Sequence, residues 1–130
     1  MAITTYESTA CADGQCLRLA HSKLAEDPAA GTFPMIHIPR YAFVKDVWIR
    51  ITEVGTSNTI TLGFTGNNDT ADTDAIMKVS EVEVLQVGQQ RALLFPGKWF
   101  VDGAGSITMT VGTAQTTGKF MVFAEYYVIY

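Results

Sequence analysis

Lys119-Phe120-Met121-Val122-Phe123-Ala124-Glu125-Tyr126-Tyr127-Val128-Ile129-Tyr130 closes the chain. In an extended strand successive side chains point to opposite faces. Phe120, Val122, Tyr126 and Val128 therefore fall on one side, and Met121, Phe123, Tyr127 and Ile129 on the other. Both sets are apolar. A strand with one wet face alternates apolar with polar, whereas a strand covered on both faces does not. The first set is expected to fill a core. The second, Met121, Phe123, Tyr127 and Ile129, is expected to be an interface, covered by a second layer of the same subunit, by the N-terminal segment folded back, or by a neighbouring subunit.

The same period of two recurs upstream to about Phe43, with Gly, Asn, Asp and Thr between the segments, and strong helical periodicity is missing. In Val47-Trp48-Ile49-Arg50-Ile51-Thr52-Glu53, Val47, Ile49 and Ile51 share a core face while Trp48, Arg50 and Thr52 share the wet one. Thr59-Ile60-Thr61-Leu62-Gly63-Phe64 follows the turn residues Gly55-Thr56-Ser57-Asn58, and the two segments are expected to pair as a hairpin. A switch of parity between Val82/Val84 and Leu85/Val87 predicts a bulged strand over 78–87. Leu93-Leu94-Phe95 precedes the Pro96-Gly97 breaker, and Lys98-Trp99-Phe100 precedes the turn Asp102-Gly103-Ala104-Gly105. Ser106 to Val111 alternates with its threonines outward. Within the first forty residues, Leu17-Arg18-Leu19 and Phe33-Pro34-Met35-Ile36-His37-Ile38-Pro39 predict two short strands and an extended arm, with Pro34 and Pro39 at edge positions. Short strands separated by turn signals predict an all-β, antiparallel β-sandwich over 1–130, with 43–130 as its core and 1–42 as arm and edge strands.

Composition narrows the function. A chain of 130 residues is long enough to build a core without disulfide or metal staples. It is 48% hydrophobic and 17% charged, below the usual quarter or so for soluble domains, so some apolar exterior is expected to be covered by partner subunits. The net charge is -4 and the nine Lys and Arg residues are scattered, which argues against a nucleic-acid partner. No apolar run approaches the roughly 20 residues of a spanning helix, and no export signal is expected at the N-terminus. Cys11 and Cys16 match neither CxxC nor a four-ligand zinc pattern; they read as free thiols or at most one local disulfide.

Thr65-Gly66-Asn67-Asn68-Asp69-Thr70-Ala71-Asp72-Thr73-Asp74-Ala75-Ile76-Met77 raises the question of a metal. Calcium takes several oxygen ligands from a flexible loop, and Asp69, Asp72 and Asp74 with Asn67 and Asn68 supply oxygens. The EF-hand order and its closing Glu are absent. Asn and Asp also bond their own backbone in turns, and Asp72 or Thr73 suits the cap of a helical stub over Asp74-Ala75-Ile76-Met77. That architectural account is preferred, and no cofactor is expected. His21 and His37 lie in no nucleophile signature, and a Cys11/His21 pair is less favoured than surface histidines. Glu81 and Glu83 read as a solvated face rather than a glycosidase pair, and Gly103-x-Gly105 as a β-turn rather than a dinucleotide loop. Trp48, Trp99, Phe100 and the tyrosines at 126, 127 and 130 suit core and interface anchoring, with stacking on sugar rings as the other use. No catalytic residue emerges.

Three features, the loop Gly66 to Met77 after a strand, Lys98-Trp99-Phe100 before a Gly turn, and the ending GSITMTVGTAQTTGKFMVFAEYYVIY, resemble the small jelly-roll structural proteins of tailed-phage virions. The resemblance covers residues 43–130. It implies a non-enzymatic β-sandwich that self-associates, as a trimer suited to threefold positions. Such a protein binds the major capsid protein as a decoration or cement subunit on the capsid surface, in a virion assembled in the host cytoplasm. The alternative is a carbohydrate- or receptor-binding module of a tail or fibre, with Trp48 or Trp99 as the stacking platform.

Overall fold

The computed structural model describes residues 5–12, 15–79, 81–92 and 97–128. Its strands are β1 (Thr5–Ala12), β2 (Gln15–Ser22), β3 (Ala25–Glu26), β4 (Gly31–Ile38), β5 (Ala42–Glu53) and β6 (Ile60–Gly66), followed by β7 (Asp69–Met77), β8 (Gly88–Ala92), β9 (Lys98–Phe100), β10 (Gly105–Val111) and β11 (Lys119–Val128). No helix is present among the described residues. The larger sheet runs β1-β2-β11-β5-β8, with β3 also on β11 and β9 also on β5; the smaller runs β4-β10-β6-β7. Every pairing is antiparallel. If β8 and β9 count as one interrupted strand along β5, the orders 2-11-5-8 and 4-10-6-7 give the two interleaved Greek keys of a jelly roll.

The core lies between the sheets. β11 alternates as its sequence dictates: Phe120, Val122, Ala124 and Tyr126 are wholly buried, and the residues between them are half-buried on the opposite face. Val44, Val47, Ile49 and Ile51 face the same core from β5, after a register shift opposite Glu125/Tyr126. The first forty residues supply β1 to β4, of which Ala20, Ile36 and Ile38 are wholly buried. Pro34 lies in β4, the edge strand of the smaller sheet, beside the register shift opposite Ile107/Thr108, the kind of edge and bulge position to which proline is confined in sheets.

Four chain crossings between the sheets meet at one end and are bonded together there. Gln115, 2% exposed, accepts at Oε1 from the amides of Thr56 (2.7 Å) and Ser57 (3.1 Å), and donates from Nε2 to the carbonyls of Ser57 (2.8 Å) and Thr113 (3.1 Å). Its own amide donates to the Pro28 carbonyl at 2.9 Å. Gly55 N donates to Val84 O, and Val84 N donates to Asn58 Oδ1, closing the fourth connection onto the others. One primary amide therefore supplies partners to four backbone groups in two of these connections.

Several sequence expectations are corrected. Val47–Glu53 and Thr59–Phe64 are not a hairpin, because β5 lies in the larger sheet and β6 in the smaller; the turn residues between them carry a crossing. The hairpin is instead β6–β7, closed by Asn67 and Asn68 with φ of 58° and 56°, the left-handed pair that a two-residue I′ turn requires. The expected helical stub over 74–77 is strand, part of β7. Residues 78–79 and 81–87 form turns rather than a bulged strand. The parity there still holds, since Val82 and Val84 are buried while Leu85 and Val87 are exposed. Thr108, expected outward, is 2% exposed. It pairs with Gly63, over whose Cα side β7 folds so closely that a Cβ would meet the Asp72 carbonyl. Leu93-Leu94-Phe95 lies outside the described residues.

Candidate interaction face

The outer side of the larger sheet carries the residues that the final strand singles out. Met121, Phe123 and Tyr127 project there from β11, half-buried; Ile129 lies outside the described residues. Across the sheet, register decides what stands beside them. Tyr6 of β1 opposes His21 of β2, His21 opposes Phe123 of β11, and Phe123 opposes Trp48 of β5. Directly opposed residues share a face, so four rings line up at right angles to four consecutive strands. Tyr6 and His21 stack at 4.8 Å and 15°, His21 and Phe123 meet at 5.6 Å and 41°, and Phe123 and Trp48 stack at 5.6 Å and 2°.

A second row runs parallel to the first, nearer the end of β11. Leu17, Tyr127, Phe43 and Trp99 oppose one another in sequence across β2, β11, β5 and β9. Phe43 and Trp99 are in ring contact at 4.5 Å and 48°. Between the two rows lies a row containing Leu19, Glu125 and Asp46. Beyond the first row, Met121 opposes Arg50. The face is therefore two aromatic stripes separated by a carboxylate strip. Tyr6 (49%), Leu19 (41%) and Trp99 (47%) remain open to solvent in the single chain.

Sequence reasoning found Met121, Phe123, Tyr127 and Trp48 on this face but not Tyr6 or His21. Their contribution depends on the pairing of β1, β2 and β11, which no local pattern reveals. His21 Nδ1 stands 2.9 Å from the Ser22 carbonyl oxygen, a contact that requires the proton on Nδ1. Its place is in the aromatic row, away from the Cys11 end of the β1–β2 pair.

The acidic stretch behaves differently. Asp69, Asp72 and Asp74 are exposed along β7, and among the described residues no three His, Cys, Asp or Glu side chains converge to hold a metal ion. Asp69 accepts from Lys98 Nζ at 2.8 Å and from Asn67 Nδ2 at 2.9 Å. The Lys98 and Asn67 hydrogen bonds hold its carboxyl below the usual value of 3.8. Asn67 Oδ1 accepts from Asp102 N, and Asn68 Nδ2 donates to Asp102 O. These bonds join the β6–β7 turn to the loop before β10. Asp72 Oδ1 accepts from Asp74 N at 3.3 Å. Glu81 and Glu83 are exposed, and Glu81 accepts the Lys78 amide in a local turn.

No protein-family model matches the chain, and no curated protein matches its sequence. Two solved structures share its fold along nearly the whole length. A chain from the acidic stable capsid structure of Helicobacter pylori bacteriophage KHP30 superposes with a TM-score of 0.64 at 12% identity, covering 98% of this chain and 100% of that one. A chain from the cyanophage Pam1 capsid asymmetric unit gives 0.67 at 15% identity, covering 94% of this chain and 91% of that one. At such identities the likeness is one of fold.

Proposed function

We propose that the chain is a structural subunit of a phage particle: a decoration or cement protein that binds the major capsid protein at the capsid surface and associates with further copies of itself as a trimer. The observation that carries this reading is the end-to-end match of the sandwich to chains from two phage capsids, at coverages of 91% or more on both sides. Fold alone does not fix function, so the surface must supply the rest. Two aromatic stripes on one sheet face, in a chain only 17% charged, are what a subunit interface is built from. Met121, Phe123 and Tyr127 sit within that face, and Ile129 continues their parity in the sequence.

The work of such a subunit is binding. Burial of the stripes against a shell or a sibling removes apolar area from water at about 25 cal/mol per Å². The carboxylate strip of Glu125 and Asp46 sets which partner surfaces are tolerated. The test is reconstitution: purified protein is mixed with shells assembled from the major capsid protein encoded with it and sedimented. Saturable co-sedimentation, with the free protein running as an oligomer at micromolar concentration, supports the proposal. A monomer that stays in the supernatant overturns it.

A second reading, a glycan- or receptor-binding module of a tail or fibre, draws on Trp99, which is 47% exposed on this face, since exposed aromatic rings also receive sugar rings. A glycan array separates the two readings, with binding expected only under the second.

A further inference from the structure

We propose that the corner formed by Arg40, Tyr41, Trp99 and Val101 docks onto the carboxylates of Asp72 and Asp74 in a second copy of this chain. The inference rests on the self-association in the proposed function and names one contact of it. Arg40 and Tyr41 lie between β4 and β5, just past the end of the β5–β9 ladder. Tyr41 N donates to Phe100 O at 2.7 Å, and Arg40 Nε donates to Val101 O at 3.0 Å. These bonds hold Tyr41 at a φ of 69°, a left-handed conformation uncommon for so bulky a residue. The guanidinium carbon stands 4.7 Å from the centroid of the Tyr41 ring. With its Nε bonded and its head over a ring, the guanidinium is fixed in place, and no carboxylate among the described residues bonds it. Its Nη edge is therefore presented to a partner, and a fork already held still loses little freedom on binding. Tyr41, Trp99 and Val101 flank the same ladder end, each a little under half exposed. Arg, Tyr and Trp are the side chains most enriched at interface hot spots.

Charge names the occupant. The chain carries an excess of carboxylates, with a net charge of -4. Asp69 and Glu53 are already paired with Lys98 and Lys119. Asp72 and Asp74 are exposed on β7, an edge strand of the smaller sheet, and their spacing of two places both on one face. Among the described residues no cation pairs with either. A single exposed ion pair contributes little by itself, so the Arg40 contact sets partner and register, while covering Tyr41, Trp99 and Val101 removes apolar area from water. The two patches lie on different elements of one chain. The contact is thus heterologous, the type from which a cyclic trimer closes.

The test is sedimentation equilibrium of the full chain and its charge-reversed variants at micromolar concentration. Arg40→Glu, and separately Asp72→Arg with Asp74→Arg, are each expected to weaken self-association at least about tenfold, because like charges then face one another. All three substitutions in one chain are expected to restore it to within about threefold of the unaltered protein. The three side chains are exposed, so melting temperatures are expected to shift little. Undiminished association in either reversed variant, or a combined variant as weak as its parents, would overturn this pairing alone, with shell co-sedimentation of the same proteins reporting separately on the proposed function. An unaltered protein that runs as a monomer would overturn both.

Discussion

Trp48 and Phe123 stand directly opposite each other on β5 and β11 and stack with ring planes 2° apart. The contact lies on the outer face of the sheet, away from the core, so it aligns a surface rather than filling an interior. If that surface is an interface, its central rings carry most of the binding energy. Truncating Phe123 and Tyr127 together to Ala is expected to weaken self-association and shell binding at least about tenfold, because hot-spot truncations cost about 2 kcal/mol or more and ~1.4 kcal/mol is a factor of ten. Sedimentation equilibrium of the variant measures this; unchanged association removes both residues from the interface.

Tyr126 and Tyr127 are neighbours in sequence with opposite roles. Tyr126 is wholly buried between the sheets, and Tyr127 is half-buried on the outer face. Tyr126→Ala is expected to cost about 3–5 kcal/mol, in line with large aromatic deletions from cores, and Tyr127→Ala about 1 kcal/mol or less. Urea unfolding of the two variants checks this, and equal costs would mean that the parity of β11 is misassigned.

Gly63 has no room for a side chain, since a Cβ there meets the Asp72 carbonyl and the Thr73 backbone. The approach is fixed by Thr61 Oγ1, which donates to Thr73 O at 2.8 Å. Gly63→Ala is expected to destabilise by about 1–3 kcal/mol, the typical range for inserting atoms into a well-packed site. Thermal unfolding reads it out, and a neutral result would show that β7 does not fold over β6.

Asp69 links stability to pH. Its folded carboxyl titrates below its ordinary value because Lys98 and Asn67 donate to it. The stabilisation is therefore present above the unfolded value and is lost as pH falls through the folded one. Both partners are substantially exposed, so the effect is small. Asp69→Asn is expected to flatten part of the decline in melting temperature between about pH 5 and pH 2. Parallel melts of the two proteins test this, and identical acid limbs would mean that the ion pair does not persist in solution.

The two-faced β11 was legible in the sequence because period-two alternation is a local property that tertiary context did not overturn. The partners of β5 and β6 were not, since a hairpin and a crossing between sheets both read as two alternating strands joined by Gly and Asn. Packing and the Gln115 amide decide that case at long range. Over Asp72–Met77 the local signal was correct and its consequence was not. Asp72 does accept the Asp74 amide, as a cap would, but the segment is held as strand by its pairing with β6. The rings of Tyr6 and His21 joined the candidate face through strand pairing alone. Parity named one strand's share of the surface, and topology assembled the remainder.

The central claim of the proposed function, that the outer face of the β2–β11–β5 sheet is covered in an assembled particle, is tested most directly by a cryo-EM reconstruction of phage shells reconstituted with this chain. The account predicts density from a sibling subunit or the shell packed against Phe123, Tyr127 and Trp48. A subunit whose outer sheet face looks into open solvent, with the shell contacting some other surface, would contradict it.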